Sequence, residues 1–579
     1  MKYAIDKVYK HKCLTLLTIA MLLLNILRIS LHADVYDEVF NLSVSYRVAL
    51  GQLPYYQCWE AYQGGDLFLS PFLWLYINLL GTSSGIVLFS RCVYLLWLAG
   101  CSFIVYKAVS YLLPKIQAFV IALSCIFFSI YGLFYLWYDT VAVLLLLAGS
   151  FSVYIAIINS SGCKWGILGA FLHGLMILAY PSMILITLFC FLLELISCVK
   201  NHNWRLLLYF LAGYFCALAV GAAIVLHVGI ENFILGIRTI MSYRHIASDS
   251  SSLILIDILK AYIAVNKSLI IFGVVYIPLG ILAFKRQKLL RPYLLMGLLL
   301  PMILCLGLNE SYRGLLNYAS FIGLWAPILY VIQNYFCKKG EESFEKLKRE
   351  KARKLLIYVW LPSLLSTISI ALSTVYAQEG PIKAWEGMFP SALVSLVLLT
   401  VIWQSIPRNN SKVLNDIATN AVGLIFCCCL LVNSYTYVYL NAPYITLNDP
   451  VSRHGVFAGI RVKDSMLEWE SVKPWLQPYI QDNETILVSF VFNPIYLMTD
   501  LRPLTPSVES PTYYLDGELQ WEMSLKYFSL FNEYPDIMIL SKTDMEDSEI
   551  QQLLAEKYSL ADSREIGGST ATIFIQTKN

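Results

Sequence analysis

The sequence predicts a polytopic α-helical membrane protein that ends in an α/β domain outside the membrane. Of its 579 residues, 58% are hydrophobic and only 14% are charged, so most of the chain must lie in lipid rather than fold around a core in water. Apolar stretches of about 20 residues recur up to position 440 and then stop. The net charge of +3 is spread over many loops, which excludes nucleic acid as a partner.

About thirteen segments are predicted to cross the membrane, the first as a signal anchor after a basic start. They are the ranges 14–31, 85–105, 116–136, 140–158, 165–179, 183–199, 206–228, 268–284, 292–308, 315–336, 355–376, 388–406 and 421–439. A further apolar stretch, 67–81, is predicted as a short helix that lies in or dips into the outer interface.

The loops predict the orientation. Lys and Arg accumulate in alternate loops, which places the N-terminus inside and the C-terminus outside a plasma membrane that we expect to be bacterial. The chain then divides into a transmembrane domain, 1–440, with its first outer loop at 32–84, and an outer domain, 441–579.

In the outer domain, helical and strand patterns alternate, which is typical of a small α/β layer fold. The predicted helices are 455–481 and 547–558, and the predicted strands are 484–492, 536–540 and 571–576.

Four acids are the candidates for chemistry. Asp34, Asp37 and Glu38 open the first outer loop, and Asp139 precedes an apolar run at the next outer turn. Carboxylates crowded beside a bilayer repel one another and lose solvation, which raises the proton affinity of one of them toward that of a general base. Asp37 and Asp139, brought together, would take a proton or hold a divalent metal ion. The alternative is that these acids only cap helices. The residues at 39–50 alternate at period two, which by itself predicts a strand.

Charged side chains at other outer turns are candidates for substrate binding. Arg238, Arg244 and His245 lie in GIRTIMSYRHIAS, and Glu310 and Arg313 lie in NESYRG. Arginine suits a phosphate because it forms charge-assisted, often bidentate hydrogen bonds. The alternative is that these long side chains snorkel to lipid headgroups.

The order of these motifs resembles the GT-C superfamily of membrane glycosyltransferases, in particular the branch with protein O-mannosyltransferases and the lipid A aminoarabinose transferase. Asp37 and Glu38 are followed by ALGQLPYY, the loop helix ends as LWLYINLLG, Arg91 heads the next span, and Asp139 stands in YDT. The resemblance at motif level covers residues 34–158. The chain departs from the pattern at 69–71, where LSP replaces a Lys-Pro-Pro, and at 180–181, where YP replaces a Lys.

The resemblance implies transfer, with inversion, of a sugar from a polyprenyl-phosphate donor in the membrane lipid. The acceptor would be a cell-surface glycan, a lipid or a protein on the outer face. In this reading Asp37, beside Glu38, is the general base, and Asp139 orients the acceptor or a divalent metal ion. The substrate-binding and phosphate-binding residues would be Arg91, Arg244, His245, Glu310 and Arg313.

Other classes of function stay open. A lipid or polysaccharide transporter would need a charged pathway inside the spans and matched halves with broken helices. In a non-catalytic envelope-assembly subunit, the acids would be helix caps. A polysaccharide polymerase or ligase would use a long central outer loop.

Overall fold

The computed structural model describes residues 2–60, 63–129, 134–159, 162–246, 251–307, 314–336, 343–372, 380–406, 412–436, 448–508 and 518–577. Within them, the first nine helices are α1 Lys2–Ile29, α2 Asp37–Ala49, α3 Ser70–Leu80, α4 Ile86–Val109, α5 Lys115–Leu123, α6 Tyr138–Ile158, α7 Cys163–Ala179, α8 Ile184–Lys200 and α9 Trp204–Val228. The next eight are α10 Ile230–Ile246, α11 Ser251–Lys285, α12 Gln287–Gly307, α13 Gly314–Phe336, α14 Ser343–Leu355, α15 Leu361–Leu372, α16 Gly380–Ser405 and α17 Lys412–Thr436.

Six helical stretches of the described chain are long and apolar enough to cross a membrane. They are Ile86–Val109, Tyr138–Ile158, Pro181–Lys200, Trp204–Val228, Lys267–Lys285 and Glu386–Ser405. Shorter apolar helices accompany them. The chain is therefore a largely helical membrane protein, as predicted, whereas the count of thirteen crossings stays a prediction.

The helices differ in how deeply they are buried. In the most apolar stretch of each helix, all residues of α16 and 89% of those of α6 are buried, but only 17% of those of α9 are buried. The helices α6 and α16 are thus central in the bundle, and α9 presents most of its apolar surface outward, as a lipid-facing helix does.

One predicted span is wrong. The range 116–136 begins as α5 and continues as a 3₁₀ turn, Ser124–Phe127, but Phe128 has extended backbone angles and ends the helix. The Phe128 ring stacks on the Phe389 ring at 4.2 Å between centroids. The backbone carbonyl of Phe128 accepts a hydrogen bond from the Tyr94 hydroxyl at 2.9 Å. These tertiary contacts stabilise the break, which apolar composition does not reveal.

The segment 39–50 lies almost entirely in a helix, α2. The strand predicted from its alternation of polar and apolar residues is therefore wrong. All residues from Glu38 to Arg47 except Phe40 are classed as buried. Because protein surrounds α2 on every side, its polar positions do not mark a solvent face, and their alternation carries no information about the backbone. The predicted short helix at 67–81 is confirmed as α3, and it ends at Gly81, whose φ of 62° is left-handed.

The C-terminal region forms a five-stranded sheet. Its strands are β1 Thr485–Val488, β2 Arg502–Pro503, β3 Ile537–Leu540, β4 Tyr558–Ile566 and β5 Ser569–Gln576, in the order β2-β1-β3-β5-β4. The helices here are α18 Val472–Ile480, α19 Pro494–Met498, α20 Glu518–Phe531 and α21 Ser548–Lys557. Strands β2, β1 and β3 are parallel, and β5 pairs antiparallel with β3 and β4. The helix predicted at 455–481 is regular only in α18, after a 3₁₀ turn at Asp464–Ser471.

This C-terminal region packs on the first loop and on the helix ends beside it. Leu31 forms a parallel β-bridge with Arg461, and the Trp59 amide donates to the Pro506 carbonyl at 2.8 Å. At the start of α4, the Gly85 amide donates to the Gly455 carbonyl at 2.9 Å. The first loop and the C-terminal sheet therefore lie on the same side of the helical bundle.

Candidate active site

Three of the predicted acids, Asp34, Asp37 and Glu38, lie in a turn whose entry is held by backbone hydrogen bonds. His32 has a left-handed φ of 62°, which turns the chain sharply after α1. Its amide donates to the Arg461 carbonyl at 2.9 Å, and the Arg461 amide donates to the Ser30 carbonyl at 2.8 Å. The position of the acids is thus set by α1 on one side and by the C-terminal region on the other.

Asp34 caps α2. Its Oδ1 accepts from the Tyr36 amide at 3.2 Å, and its Oδ2 accepts from the Glu38 amide at 2.9 Å. The side chain is nevertheless buried. Burial, and next the charge of Asp37, raise the pKa of Asp34 to about 7, although its backbone hydrogen bonds act in the opposite direction. The capping alternative and the raised proton affinity therefore apply to the same residue.

Glu38 and Arg91 form a buried ion pair. Arg91 Nε donates to Glu38 Oε1 and Nη2 donates to Oε2, each at 2.6 Å, a bidentate geometry. The remaining donors of Arg91 bind the carbonyls of Ile29, Leu31 and His32. All five guanidinium N–H groups thus have acceptors within the chain. Arg91 therefore holds the acid turn in place. The predicted contact of Arg91 with a phosphate stays a prediction, and such a contact would require Arg91 to leave these partners.

Asp37 is the acid of this turn with an accessible side chain. It begins α2, and it is partly exposed, whereas Asp34 and Glu38 are buried. A carboxylate at a helix N-terminus is stabilised by the partial positive charge there. Asp37 is thus placed to meet a group that approaches the turn from outside.

Asp139 lies in the first turn of α6 and is fully buried. Its Oδ1 accepts from the Thr140 amide at 2.7 Å. The first loop reaches this helix end directly, because a Cβ on Gly65 would overlap the backbone of Tyr138. Only glycine allows this approach between the first loop and the start of α6.

The helix α4 contacts both segments that carry the predicted acids. Arg91 near its start holds Glu38 of the acid turn, residues 34–38. Asp139 lies in the first turn of α6, which packs on α4. Glu386 of α16 is another buried acid of the bundle, and the sequence reasoning missed it.

The structure describes only part of the predicted substrate-binding residues. Arg244 and His245 belong to α10, but their side chains lie outside the described part of the structure, as do Glu310 and Arg313 entirely. The helix α10 itself packs on the first loop, where Phe233 meets the Tyr55 ring at 5.2 Å between centroids. A Cβ on Gly236 would overlap the Tyr55 carbonyl. The element that carries Arg244 is thus adjacent to the loop that carries the acids.

A metal site would need several donor side chains close together. Among the described residues, no group of three or more His, Cys, Asp or Glu side chains is arranged to hold a metal ion. Glu38 is committed to Arg91, so it does not add a ligand beside Asp37. The proposed transfer step uses no metal ion.

A second polar network lies between the helices of the bundle. His173 of α7 places Nε2 3.1 Å from the Ser150 Oγ of α6 and Nδ1 3.1 Å from Glu194 Oε1 of α8. All three residues are buried. The sequence reasoning missed this network because each residue stands alone within its apolar run, and only the fold brings the three together.

Comparison with known proteins gives structural similarity of low degree. No protein-family model matches the chain, and no curated protein sequence matches it. Among the solved structures, the archaeal oligosaccharyltransferase AglB from Archaeoglobus fulgidus, in complex with an inhibitory peptide and a dolichol-phosphate, aligns with a TM-score of 0.44 and 11% identity. The alignment covers 97% of this chain and 74% of that chain.

Proposed function

We propose that this chain is an integral membrane glycosyltransferase that moves a sugar from a polyprenyl-phosphate donor to an acceptor hydroxyl on the outer face, with inversion. The observation that carries this proposal is the acid turn at 34–38. It holds a buried carboxyl with a pKa of about 7 beside a partly exposed carboxylate. A group that exchanges protons near neutral pH, next to one that a substrate can reach, suits general-base catalysis.

In this mechanism Asp37 removes the proton of the acceptor hydroxyl as its oxygen attacks the anomeric carbon and the bond to the lipid phosphate breaks. Removing that proton during attack contributes roughly 10² to 10⁴ in rate. Asp34, whose pKa is raised to about 7 mainly by burial, gains and loses a proton near neutral pH, and it stands three residues before Asp37. Arg91 and Glu38 hold the turn still, and Asp139 orients the acceptor.

The departing lipid phosphate needs positive charge near it. We assign this role to Arg244 or Arg313, with His245 and Glu310 as neighbours. Support for Arg244 comes from α10, which packs against the first loop at Tyr55. A polyprenyl chain can remain in the lipid beside a site at the end of the spans, and the acceptor can enter from the side of the C-terminal sheet.

The test is transfer by the purified full-length protein in nanodiscs, with polyprenyl-phosphate sugars as donors. Asp37→Asn should lower the rate by about 10² to 10⁴, because asparagine cannot take the proton, while melting temperature and yield stay unchanged. Asp464→Asn, an exposed acid of the C-terminal region, is the control and should transfer normally. Normal turnover by Asp37→Asn would remove the base role, and no transfer by the wild type with any donor would remove the transferase.

A transporter is the second candidate, favoured by the network of Ser150, His173 and Glu194 inside the bundle. Ionisable residues buried among spanning helices often mark proton or substrate pathways. A transporter predicts that His173→Gln abolishes substrate movement across vesicle membranes, whereas the transferase predicts that Asp37→Asn abolishes sugar transfer. The accessible carboxylate of the first loop makes us prefer the transferase.

A further inference from the structure

We propose that the ring of Tyr36 is the surface on which a sugar ring of the acceptor stacks, and that the acceptor is therefore a carbohydrate, either a glycan or the sugar portion of a glycolipid. This inference rests on the proposed transferase function and narrows its acceptor. It is carried by the position, the exposure and the support of the ring.

Tyr36 stands between the two acids that the mechanism uses. Its amide donates to Asp34 Oδ1 at 3.2 Å, and its carbonyl accepts from the Phe40 amide at 2.7 Å. Both backbone groups of Tyr36 are thus fixed, and Asp37 follows directly. The ring and the Asp37 carboxylate thus belong to neighbouring residues at the start of α2.

Tyr36 is partly exposed, and its ring contacts the ring of a buried residue. Tyr36 is 39% exposed, whereas Phe490, 5.9 Å away between centroids, is only 4% exposed. Phe490 belongs to the turn that follows β1, so the C-terminal sheet provides the support. An aromatic surface of this size costs free energy when it is left in water, and a ligand that covers it recovers that free energy.

A sugar ring matches this arrangement. Its C–H groups form an apolar face that packs on an aromatic ring, and its hydroxyl groups point outward from the edge, where carboxylates accept their hydrogen bonds. A serine or threonine of a peptide offers a hydroxyl but no such face. The combination of an aromatic plane and an adjacent carboxylate therefore favours a carbohydrate acceptor.

The same turn contains a polar group that still lacks a partner. His32 is only 7% exposed, and its Nε2 has no hydrogen-bond partner in the part of the chain that the structure describes. A buried polar atom without a partner is costly.

The test measures binding without turnover. The full-length protein in nanodiscs is mixed with methyl glucopyranoside, methyl mannopyranoside, methyl galactopyranoside or a serine- and threonine-containing peptide, and saturation transfer from protein to ligand is recorded by NMR. At least one pyranoside should bind the wild type through its ring C–H protons. Tyr36→Leu should weaken that binding by about 3- to 10-fold, and Tyr36→Phe should retain it. Trp74→Leu, an exposed aromatic residue of α3 in the same loop, is the matched control and should bind as the wild type does.

Several results would overturn the proposal. They are equal binding by Tyr36→Leu and wild type, an equal loss with Trp74→Leu, binding of the peptide alone, and binding of no pyranoside. If Tyr36→Leu fails to fold, Tyr36→Trp replaces it, and weaker binding by folded Tyr36→Trp counts against stacking because the indole offers a larger face.

The two proposals fail differently. Pyranoside binding that depends on Tyr36, without transfer from any donor, removes the transferase but leaves the stacking surface. Transfer to a peptide, without pyranoside binding, removes the stacking surface but leaves the transferase.

Discussion

Opposing influences act on the proton of Asp34. Burial and the nearby charge of Asp37 favour the protonated carboxyl, whereas hydrogen bonds from the amides of Tyr36 and Glu38 favour the carboxylate. Burial is the largest of these causes, so the pKa rises from 3.8 to about 7. In the folded protein this side chain therefore holds its proton over a pH range in which the unfolded chain has released it.

This difference predicts how stability depends on pH. Between about pH 4 and pH 7, the folded state binds a proton on Asp34 that the unfolded state does not, so the contribution of Asp34 to stability falls as the pH rises. We expect Asp34→Asn, which can still cap α2, to flatten this part of the profile. The measurement is the melting temperature of both proteins from pH 4.5 to pH 8. An unchanged slope in the variant would show that other groups cause the dependence.

At the scale of elements, α4 connects the acid turn to the helical bundle. Arg91 near its start binds Glu38 and three carbonyls of the chain that follows α1, and Tyr94 one turn later binds the Phe128 carbonyl. The start of α4 thus holds the acid turn and contacts the segment that follows α5.

Removing one partner of the buried ion pair should be costly. We expect Glu38→Gln to lower the free energy of unfolding by about 3–5 kcal/mol, because the Arg91 charge stays buried without its carboxylate. Arg91→Lys should also destabilise the protein, because an ammonium cannot replace the planar fork. The pair Glu350–Lys354 of α14, in which Glu350 is exposed and Lys354 half-buried, is the control, and Lys354→Ala should cost about 0.5 kcal/mol or less. Similar shifts in melting temperature for the two pairs would contradict this prediction.

The polar network of α6, α7 and α8 gives a second prediction at this scale. His173→Leu should destabilise the bundle more than Ser150→Ala, because it leaves Glu194 buried without its imidazole partner. Loss of the Ser150 hydrogen bond alone should cost about 0.6 kcal/mol, the average for such bonds between membrane helices. Melting temperatures of the purified variants rank these effects, and the reverse order would show that the His173–Glu194 contact contributes little.

The sequence predicts most helices correctly because spanning lipid demands long apolar runs, which are visible residue by residue. It fails at 116–136 because Phe128 leaves the helix for contacts with Tyr94 and Phe389, and both lie far away along the chain. It also fails at 39–50, where burial on all sides removes the usual meaning of alternation. Tertiary contacts decide both cases, and a local pattern does not contain them.

The candidate site, like the fold, can be predicted from the sequence only in part. The positions of Asp34, Asp37 and Glu38 follow from their place after the first span, and the structure packs both the acid turn and α6, which carries Asp139, on α4. The commitment of Arg91 to Glu38 depends on the packing of segments from distant parts of the sequence. Side-chain partners of this kind could not be predicted without the fold.

At the scale of the whole molecule, buried Arg47 joins the transmembrane part to the C-terminal region. Its Nε donates to Gln52 Oε1 at 2.6 Å, and its Nη2 donates to the carbonyls of Gln57 and Thr505 at 2.7 and 2.8 Å. Together with the Leu31–Arg461 bridge, these bonds hold the C-terminal sheet over the first loop.

Arg47→Ala should loosen this attachment, because it leaves buried carbonyls without donors. We expect faster hydrogen exchange at the amides around Thr505 and at the first loop, with the helices of the bundle unchanged. Arg502→Ala is the control, since Arg502 pairs with Glu533 at the surface and both side chains are more than one third exposed. Equal exchange in the two variants would show that Arg47 does not hold the two parts together.

The pairing of Leu31 with Arg461 also bears on how the protein is made. The chain just after α1 is synthesised early, whereas Arg461 is added only when most of the polypeptide has been translated. Until then the nascent acid turn lacks one of its two supports, so the candidate site reaches its final geometry only late in biogenesis.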